Sequence, residues 1–344
     1  MRWPKPRTLL RCLLTAALSL AGAALPLSAA PAADKINVGI LPLVSHAPTV
    51  IAQAKGYFAK EGLAVGLVKF LAAEPMAVAI ATGDVDFGVT AISAGLISLA
   101  QKGVVKVIGG ALEEAPGIEG QKILVSKAAY DQGVTGLAQL KGRSFGITTA
   151  GSSFQYMAYK IAEKAGFPSS ELHLKPLQKV PALIAALKTG QIDAWSIVPD
   201  IAASLTKSGD VVEIGKIADV IPHYQVTTVF TSTKNTEARP ALVRRFLAAY
   251  GKGVADYNAA LVDKTVPPVE SAAIVAIVAK GIYPDLPPEQ AAARIKGGAM
   301  RISPEAALNL ESVEDQLNWL KAEGLVPADS SMRQLVDTRF AKSS

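Results

Sequence analysis

The sequence predicts an α/β protein built from two similar halves, each with an open parallel sheet. Three observations support this fold class: half of the residues are apolar, segments typical of strands alternate with helical segments, and one sequence pattern occurs twice. The apolar residues are mainly Ala, Val, Ile and Leu, and only 6% of the chain is aromatic. This composition favours buried parallel strands that are covered by Ala-rich helices.

Residues 1–32 have the pattern of a secretory signal peptide. A basic segment comes first and contains Arg2, Lys5, Arg7 and Arg11. An apolar run at 13–27 and small residues at 28–33 follow. The run is shorter than the roughly 20 residues that span a membrane. We therefore expect cleavage before Ala33 and export to the periplasm, with an uncleaved anchor as the alternative.

Removal of this segment changes how the composition is interpreted. The chain has one cysteine, Cys12, which lies inside the segment, so we expect no lipid anchor, disulfide or cysteine metal site. Four basic residues and no acidic ones are removed, which lowers the formal net charge from +6 to +2. The remaining chain lacks the cationic excess that nucleic-acid binding requires. The three histidines are far apart in sequence, and we expect neither a metal nor a cofactor.

Two motifs recur with an offset of 107 residues. The predicted strands at 35–41 and 143–149 both contain Gly-Ile. The segments 82–86 and 189–193 both have the sequence Thr-Gly-x-(Val/Ile)-Asp, which fits a helix, a glycine cap and a tight entry into a strand. We interpret the aspartate that ends each segment as a turn or capping residue. The shared offset indicates a duplication, with chance similarity of short Ala-rich segments as the alternative.

The C-terminal third is predicted to be mainly helical. After a strand at 225–232, helices are expected at 239–258, 269–280, 288–296 and 304–323. Ser303 and Pro304 are residue types typical of an N-cap and a first helical position. We expect this part of the chain to pack on the first half.

Several motifs carry a resemblance to a known family. The segment 56–63, GYFAKEGL, follows the first strand and resembles an element of the solute receptors of nitrate, sulfonate and taurine transporters. The segments 83–88, 140–143 and 190–194 match the same family in order and spacing. This family includes the NMT1-like receptors for thiamine-pyrimidine precursors. The resemblance covers residues 35–260 and is weak beyond them.

The resemblance implies a type II periplasmic-binding-protein fold, in which two α/β lobes are joined by two hinge crossings and hold a ligand between them. Lobe 1 would comprise residues 33–112 and 229–344, and lobe 2 residues 113–228. Turn-forming residues near 110–120 and 222–229 fit the two crossings. The implied partners are a small-molecule ligand and an ABC permease with a separate ATPase subunit, and we expect a monomer.

The candidate ligand site follows from the geometry of open sheets. Ligands bind beyond the carboxyl ends of parallel strands, where loops lead into helix N-termini whose amides suit an anion. The candidate ligand-binding residues are Ser45, His46, Thr90, Ser93, Thr149, Gly151, Ser152, Ser153 and Trp195. The structural alternatives are a plain N-cap for Ser152 and Ser153, a core position for Trp195 and a solvated loop position for His46.

These expectations together predict a periplasmic binding component of an ABC importer, which captures a small organic anion by hinge closure. The anion would be a sulfonate, taurine, a carboxylate or a nitrate-like ion, and a neutral pyrimidine stays an alternative. We expect no enzyme activity, and no phosphate-binding loop is present in the sequence. The alternatives are a periplasmic ligand sensor or an enzyme of pyrimidine or menaquinone biosynthesis on the same fold.

Overall fold

A computed structural model describes residues 1–3 and 32–344 of the chain. The segment predicted to be a signal peptide therefore lies almost entirely outside the described residues. Residues Ala33–Ser344 form one compact unit. Among the helices that the structure describes, none has both the length and the apolar character needed to cross a bilayer.

In residues 32–344, ten strands form two five-stranded sheets. The first sheet has the order β2-β1-β3-β10-β4 and the second the order β7-β6-β8-β5-β9. The strands are β1 (Asp34–Ile40), β2 (Leu63–Lys69), β3 (Phe87–Ala91), β4 (Val105–Gly110), β5 (Lys122–Ser126), β6 (Ser144–Ile147), β7 (His173–Pro176), β8 (Ala194–Ile197), β9 (Val211–Lys216) and β10 (Thr227–Ser232).

The α-helices cover both sheets and dominate the C-terminal part. They are α1 (Ala47–Ala54), α2 (Tyr57–Lys60), α3 (Ala73–Thr82), α4 (Ala94–Gln101), α5 (Lys127–Asp131), α6 (Ser153–Ala165), α7 (Val180–Lys188), α8 (Pro199–Lys207), α9 (Thr233–Ala238), α10 (Pro240–Tyr257), α11 (Pro268–Ile282), α12 (Pro288–Gly297), α13 (Leu310–Ala322) and α14 (Met332–Leu335). A π-helical segment, Asn258–Val262, extends α10.

Each sheet contains antiparallel pairing that the sequence patterns did not predict. In the first sheet β1 is parallel to β2 and β3, whereas β10 lies antiparallel between β3 and β4. In the second sheet β6 is parallel to β7 and β8, whereas β5 is antiparallel to β8 and β9. β5 and β10 are the strands that follow the two passages of the chain between the sheets, at 111–121 and 217–226. The exact limits of the two lobes stay a prediction.

The duplication is visible in the hydrogen bonds of the two sheets. The Asn37 amide donates to Asp86 Oδ2 at 2.8 Å, and the Ser144 amide donates to Asp193 Oδ2 at 2.8 Å. Both pairs are related by the offset of 107 residues read from the sequence. The glycines of the two repeated motifs have φ of 88° and 70°, which L-residues with side chains rarely adopt. The aspartates thus tie neighbouring strands together, which is a structural role but not the turn or capping role expected from the sequence.

The helix predicted at 304–323 is wrong in its first turns. The segment expected to be helical from Pro304 forms only a 3-10 turn, Pro304–Ala306, and the α-helix begins at Leu310. Glu305 and Ala306 have φ of 53° and 57°, which interrupts a right-handed helix. The helix starts instead where the Asn309 side chain accepts a hydrogen bond from the Ser312 amide at 2.9 Å.

The C-terminal helices contact helices of both sheets, so the expectation that they pack on the first half was incomplete. Helices α10 and α11 pack on α1, beside the first sheet, whereas α12 packs on α8, beside the second. Helix α13 reaches α6 through Trp319, whose ring centroid lies 5.3 Å from that of Tyr156. The Tyr156 hydroxyl also donates to Asp315 on α13.

Candidate functional site

A cavity lies between the two sheets, at the edge where their parallel strands end. It contains about 740 Å³ of space free of protein atoms, part of which is open to solvent. Loops that follow β1, β2 and β3 form one wall, and loops that follow β6, β7 and β8 form the other. The two passages of the chain between the sheets contribute Leu112, Gln121 and Val226, and Thr227, the first residue of β10, also lines the cavity. The position agrees with the strand-end rule for ligand sites of open sheets.

Six α-helices begin at the wall of this cavity. They are α1, α3, α4, α6, α7 and α8, and the residues at or next to their starts are His46, Ala72, Ser93, Ser152, Val180 and Val198. The first amides of a helix have no acceptor within the helix, and the helix dipole is positive at this end. The backbone therefore makes the cavity attractive to a negatively charged or hydrogen-bond-accepting group.

Two buried serine hydroxyls on opposite walls have no hydrogen-bond partner among the described residues. Ser45 follows β1 and Ser152 follows β6, and each is 5% exposed. Ser152 is the N-cap residue of α6, yet its side chain makes no capping hydrogen bond. Buried polar groups are seldom left unpaired in proteins. Both residues line the cavity, and their hydroxyls are therefore candidates for contact with a bound molecule.

Ser93 has partners of its own, unlike Ser45 and Ser152. Its hydroxyl caps α4 by accepting from the Leu96 amide at 3.1 Å, and it donates to Glu74 Oε2 at 3.0 Å. The N-cap alternative therefore describes Ser93 and does not describe Ser152. Ser93 still lines the cavity, so contact with a ligand stays a prediction.

The structure brings seven of the nine predicted residues to the cavity wall. They are Ser45, His46, Thr90, Ser93, Thr149, Ser152 and Ser153. Trp195 lies in β8 with no exposed surface and belongs to the core. Its ring centroid is 5.5 Å from that of Phe154, which does line the cavity. Trp195 is thus one side chain removed from the wall.

Gly151 lies beside the cavity and contacts the opposite wall. Its carbonyl oxygen accepts a hydrogen bond from the Ala94 amide at 3.0 Å. A Cβ atom added to Gly151 would lie 2.4 Å from the Ala94 Cβ, far inside contact distance. Gly151 also has φ of 72°. The residue has no side chain and a left-handed backbone conformation, and both are needed where the two walls meet.

His46 is a buried neutral residue and not the solvated loop residue of the alternative interpretation. It is 2% exposed, and burial lowers the pKa of its imidazole to about 3. Its Nδ1 accepts a hydrogen bond from the Leu41 amide at 3.4 Å, so the neutral ring carries its proton on Nε2 and is a donor there. Within the described residues, no group of three or more His, Cys, Asp or Glu is arranged to hold a metal ion.

The residue that sequence reasoning missed is Glu74. It lies in the first turn of α3, beyond the carboxyl end of β2. Among the described residues that line the cavity, Glu74 is the one with a charged side chain. The strand-end rule that found Ser45 and Ser152 would have found it, had β2 been considered. Phe154, Thr148 and Thr227 also line the cavity and are not among the nine candidate residues.

Comparison with known proteins places the chain in a family. The model of the family described as NMT1/THI5 like matches residues 44–260, more than half of the sequence. The chain belongs to the NMT1/THI5-like family. The family assignment made from the motifs at 56–63, 83–88, 140–143 and 190–194 is thereby confirmed.

This NMT1/THI5-like chain also shares 28% identity over 185 residues with the bicarbonate transport ATP-binding protein CmpC of Synechocystis. That match covers 48% of the chain but 26% of the relative, so the chain matches about a quarter of the relative's length.

Solved structures agree with the fold. The aliphatic sulphonate binding protein SsuA of Escherichia coli is 20% identical with a TM-score of 0.66, over 89% of this chain and 92% of that one. The nitrate-binding protein NrtA of Synechocystis is 14% identical with a TM-score of 0.69, over 87% and 83% of the two chains. The desulfurization enzyme DszB is 15% identical with a TM-score of 0.58, over 89% and 97%. The predicted two-lobed type II periplasmic-binding-protein fold is confirmed, and the fold alone does not separate binding from catalysis.

Proposed function

We propose that this NMT1/THI5-like protein is the periplasmic solute-binding component of an ABC importer. It captures a small organic solute with an anionic group between its two lobes and delivers the closed complex to a permease that is driven by a separate ATPase subunit. The observation that carries the proposal is the cavity between the two sheets, with Ser45 and Ser152 unpartnered on opposite walls. Neither wall alone supplies both hydroxyls.

Contacts across the cavity mouth support a mechanism of hinge closure. The Ala94 amide donates to the Gly151 carbonyl at 3.0 Å, and the Val180 amide donates to the Leu71 carbonyl at 3.3 Å. Each bond joins an element of the first sheet to an element of the second, so both must break when the cleft opens. A ligand that touches both walls stabilises the closed form by its differential affinity for that form.

The helix N-termini that converge on the cavity favour a ligand with an anionic group. Ser152, Ser153 and Thr149 surround the start of α6, whose dipole favours a sulfonate or carboxylate. Apolar lining residues such as Leu41, Leu43 and Phe154 favour an organic ligand over nitrate. A neutral pyrimidine is the alternative ligand.

The hydrogen bonds of His46, which lines the cavity, favour binding without catalysis. Among the described residues, no hydrogen bond joins His46 to a serine or threonine hydroxyl, as an activated nucleophile would require. The periplasmic location rests on the export pattern of residues 1–32, and the monomeric state rests on the family resemblance. A periplasmic sensor would share the same site, and capture by a cognate permease separates transport from sensing.

Trp195 provides the experiment, because its ring contacts Phe154 while the ring of Trp319 packs on Tyr156. A Trp319→Phe variant should change its fluorescence when a sulfonate or carboxylate binds, and its melting temperature should rise. The panel is ethanesulfonate, propionate, taurine, nitrate and an aminopyrimidine. If no member alters fluorescence or melting temperature, the proposed function is wrong.

A further inference from the structure

Glu74 places a carboxylate in a cavity whose helix termini attract anions. Its side chain is half-buried, and Oε2 accepts one hydrogen bond, from Ser93 Oγ at 3.0 Å. A carboxylate has about four acceptor sites, so most of its capacity is unused by that bond. It lies on the first-sheet wall, whereas Ser152 and the start of α6 lie on the opposite wall.

The carboxylate of Glu74 lies against the first turn of α4. A Cβ atom added to Gly95, in the first turn of α4, would lie within 1.6 Å of Glu74 Oε1 and 2.3 Å of its carboxyl carbon. Any residue other than glycine at position 95 would therefore displace the carboxylate. Gly95 has an ordinary helical backbone, and its lack of a side chain leaves room for the carboxylate end of Glu74 in this position.

Closure of the cleft makes this carboxylate selective. When a ligand fills the cavity, it displaces water around Glu74, and the carboxylate acceptor sites left without a partner carry a desolvation cost. A ligand with negative charge alone would add a like charge to the same cavity. A ligand that brings an ammonium group removes both costs, because it donates to the free carboxylate lone pairs and offers the opposite charge.

We propose that Glu74 is the specificity-determining residue of the cavity and that the ligand is a small zwitterion. Its anionic group binds at the start of α6 with Ser152, and its protonated amine binds Glu74 on the other wall. This inference rests on the proposed function and narrows its ligand class from organic anions to organic anions that carry an amine.

Matched ligand pairs that differ by one amine test the inference in calorimetric titrations of the protein. The pairs are taurine and ethanesulfonate, 3-aminopropanesulfonate and propanesulfonate, and β-alanine and propionate. In the wild type the amino member of at least one pair should bind about tenfold more tightly or better, the worth of a hydrogen bond to a charged group. Glu74→Gln should remove this preference while leaving the affinity for the amine-free member equal or higher.

Two further variants keep the outcome interpretable. Glu74→Asp retains the charge but withdraws it from Gly95 and Ser93, and should retain part of the preference. Glu270→Gln removes an exposed carboxylate from α11 and should change nothing. The inference is overturned if the wild type binds both members of every pair equally, or if Glu74→Gln keeps the preference. If no member of any pair binds, the proposed function fails and the inference fails with it.

Discussion

The amide of Ala94 donates a hydrogen bond to the carbonyl of Gly151 at 3.0 Å across the mouth of the cavity. Ala94 is the first residue of α4, and Gly151 directly precedes the N-cap of α6, so the bond joins the starts of two helices from opposite walls. The two residues are in contact without room for a Cβ atom on Gly151. This contact joins the two walls of the cavity.

Gly151→Ala should prevent full closure, because the new Cβ would meet Ala94. Ligand affinity should fall by about a hundredfold, which corresponds to about 3 kcal/mol of lost closed-state contacts. Gly133→Ala is the matched control, since Gly133 also has positive φ, 94°, but nothing lies within 4 Å of an added Cβ. Ligand titration and thermal melting of both variants separate impaired closure from backbone strain. Equal losses of affinity would show that backbone strain, and not closure, is responsible.

Ser45→Ala and Ser152→Ala should each weaken ligand binding about tenfold, the usual worth of a hydrogen bond to a charged group. Thermal stability without ligand should stay unchanged or rise, because neither hydroxyl has a partner in the described residues. Ser170→Ala, at an exposed position outside this cavity, serves as the control. Unchanged affinity in both cavity variants would contradict the assignment of these hydroxyls to the ligand.

Glu114, in the passage from the first sheet to the second, should make stability depend on pH. Burial raises the pKa of Glu114 from 4.5 to about 7, although the Gln121 amide donates to its Oε1 at 3.0 Å. The folded protein therefore keeps a proton that the unfolded chain releases, so this contribution to stability is lost as pH rises from about 4.5 to about 7.

Glu114→Gln should flatten that dependence. Relative to the wild type, the free energy of unfolding of the variant should increase by up to about 3 kcal/mol as pH rises from about 5 to about 8. Melting temperatures at several pH values measure the difference, and Glu323→Gln, at an exposed position, provides the control. Parallel curves for wild type and Glu114→Gln would show that this carboxyl titrates alike in the folded and unfolded states.

Tyr283→Phe should destabilise the fold by about 2 kcal/mol, because the Tyr283 hydroxyl donates to the buried carboxylate of Asp200. Asp200 belongs to α8 and is 1% exposed, and its remaining charged neighbour is Arg294 on α12 at 3.7 Å. Denaturant unfolding of this variant should be compared with that of Tyr130→Phe, which alters an exposed tyrosine. The same midpoint for both would contradict a stabilising role for the Tyr283 hydroxyl.

Local patterns were enough to predict the two-sheet organisation and seven residues of the cavity wall. The repeated motifs that end in Asp86 and Asp193 identified the equivalent strands, because the same backbone junction requires the same residues. Ser45 and Ser152 followed from the rule that ligands of open sheets bind beyond the carboxyl ends of the parallel strands.

Other features depend on tertiary packing and left no local signal. All four residues of β8 are buried, so no alternation showed that Trp195 faces the core and not the cleft. The contact of Ala94 with Gly151 depends on how two distant segments are brought together. The break before α13 depends on positive φ at Glu305 and Ala306, which are not residue types that signal such a conformation.

The most direct test of the account is a distance measurement between the two halves. Val78 on α3 and Ala185 on α7 are exposed, are equivalent by the offset of 107 residues, and lie on helices that begin at opposite walls. Spin labels at Val78→Cys and Ala185→Cys, in a Cys12→Ser background that removes the sequence's one native cysteine, report their separation. With the tightest-binding sulfonate or carboxylate at saturation, the account predicts a shift from a longer separation to one short distance. An identical distance distribution with and without that ligand would contradict it.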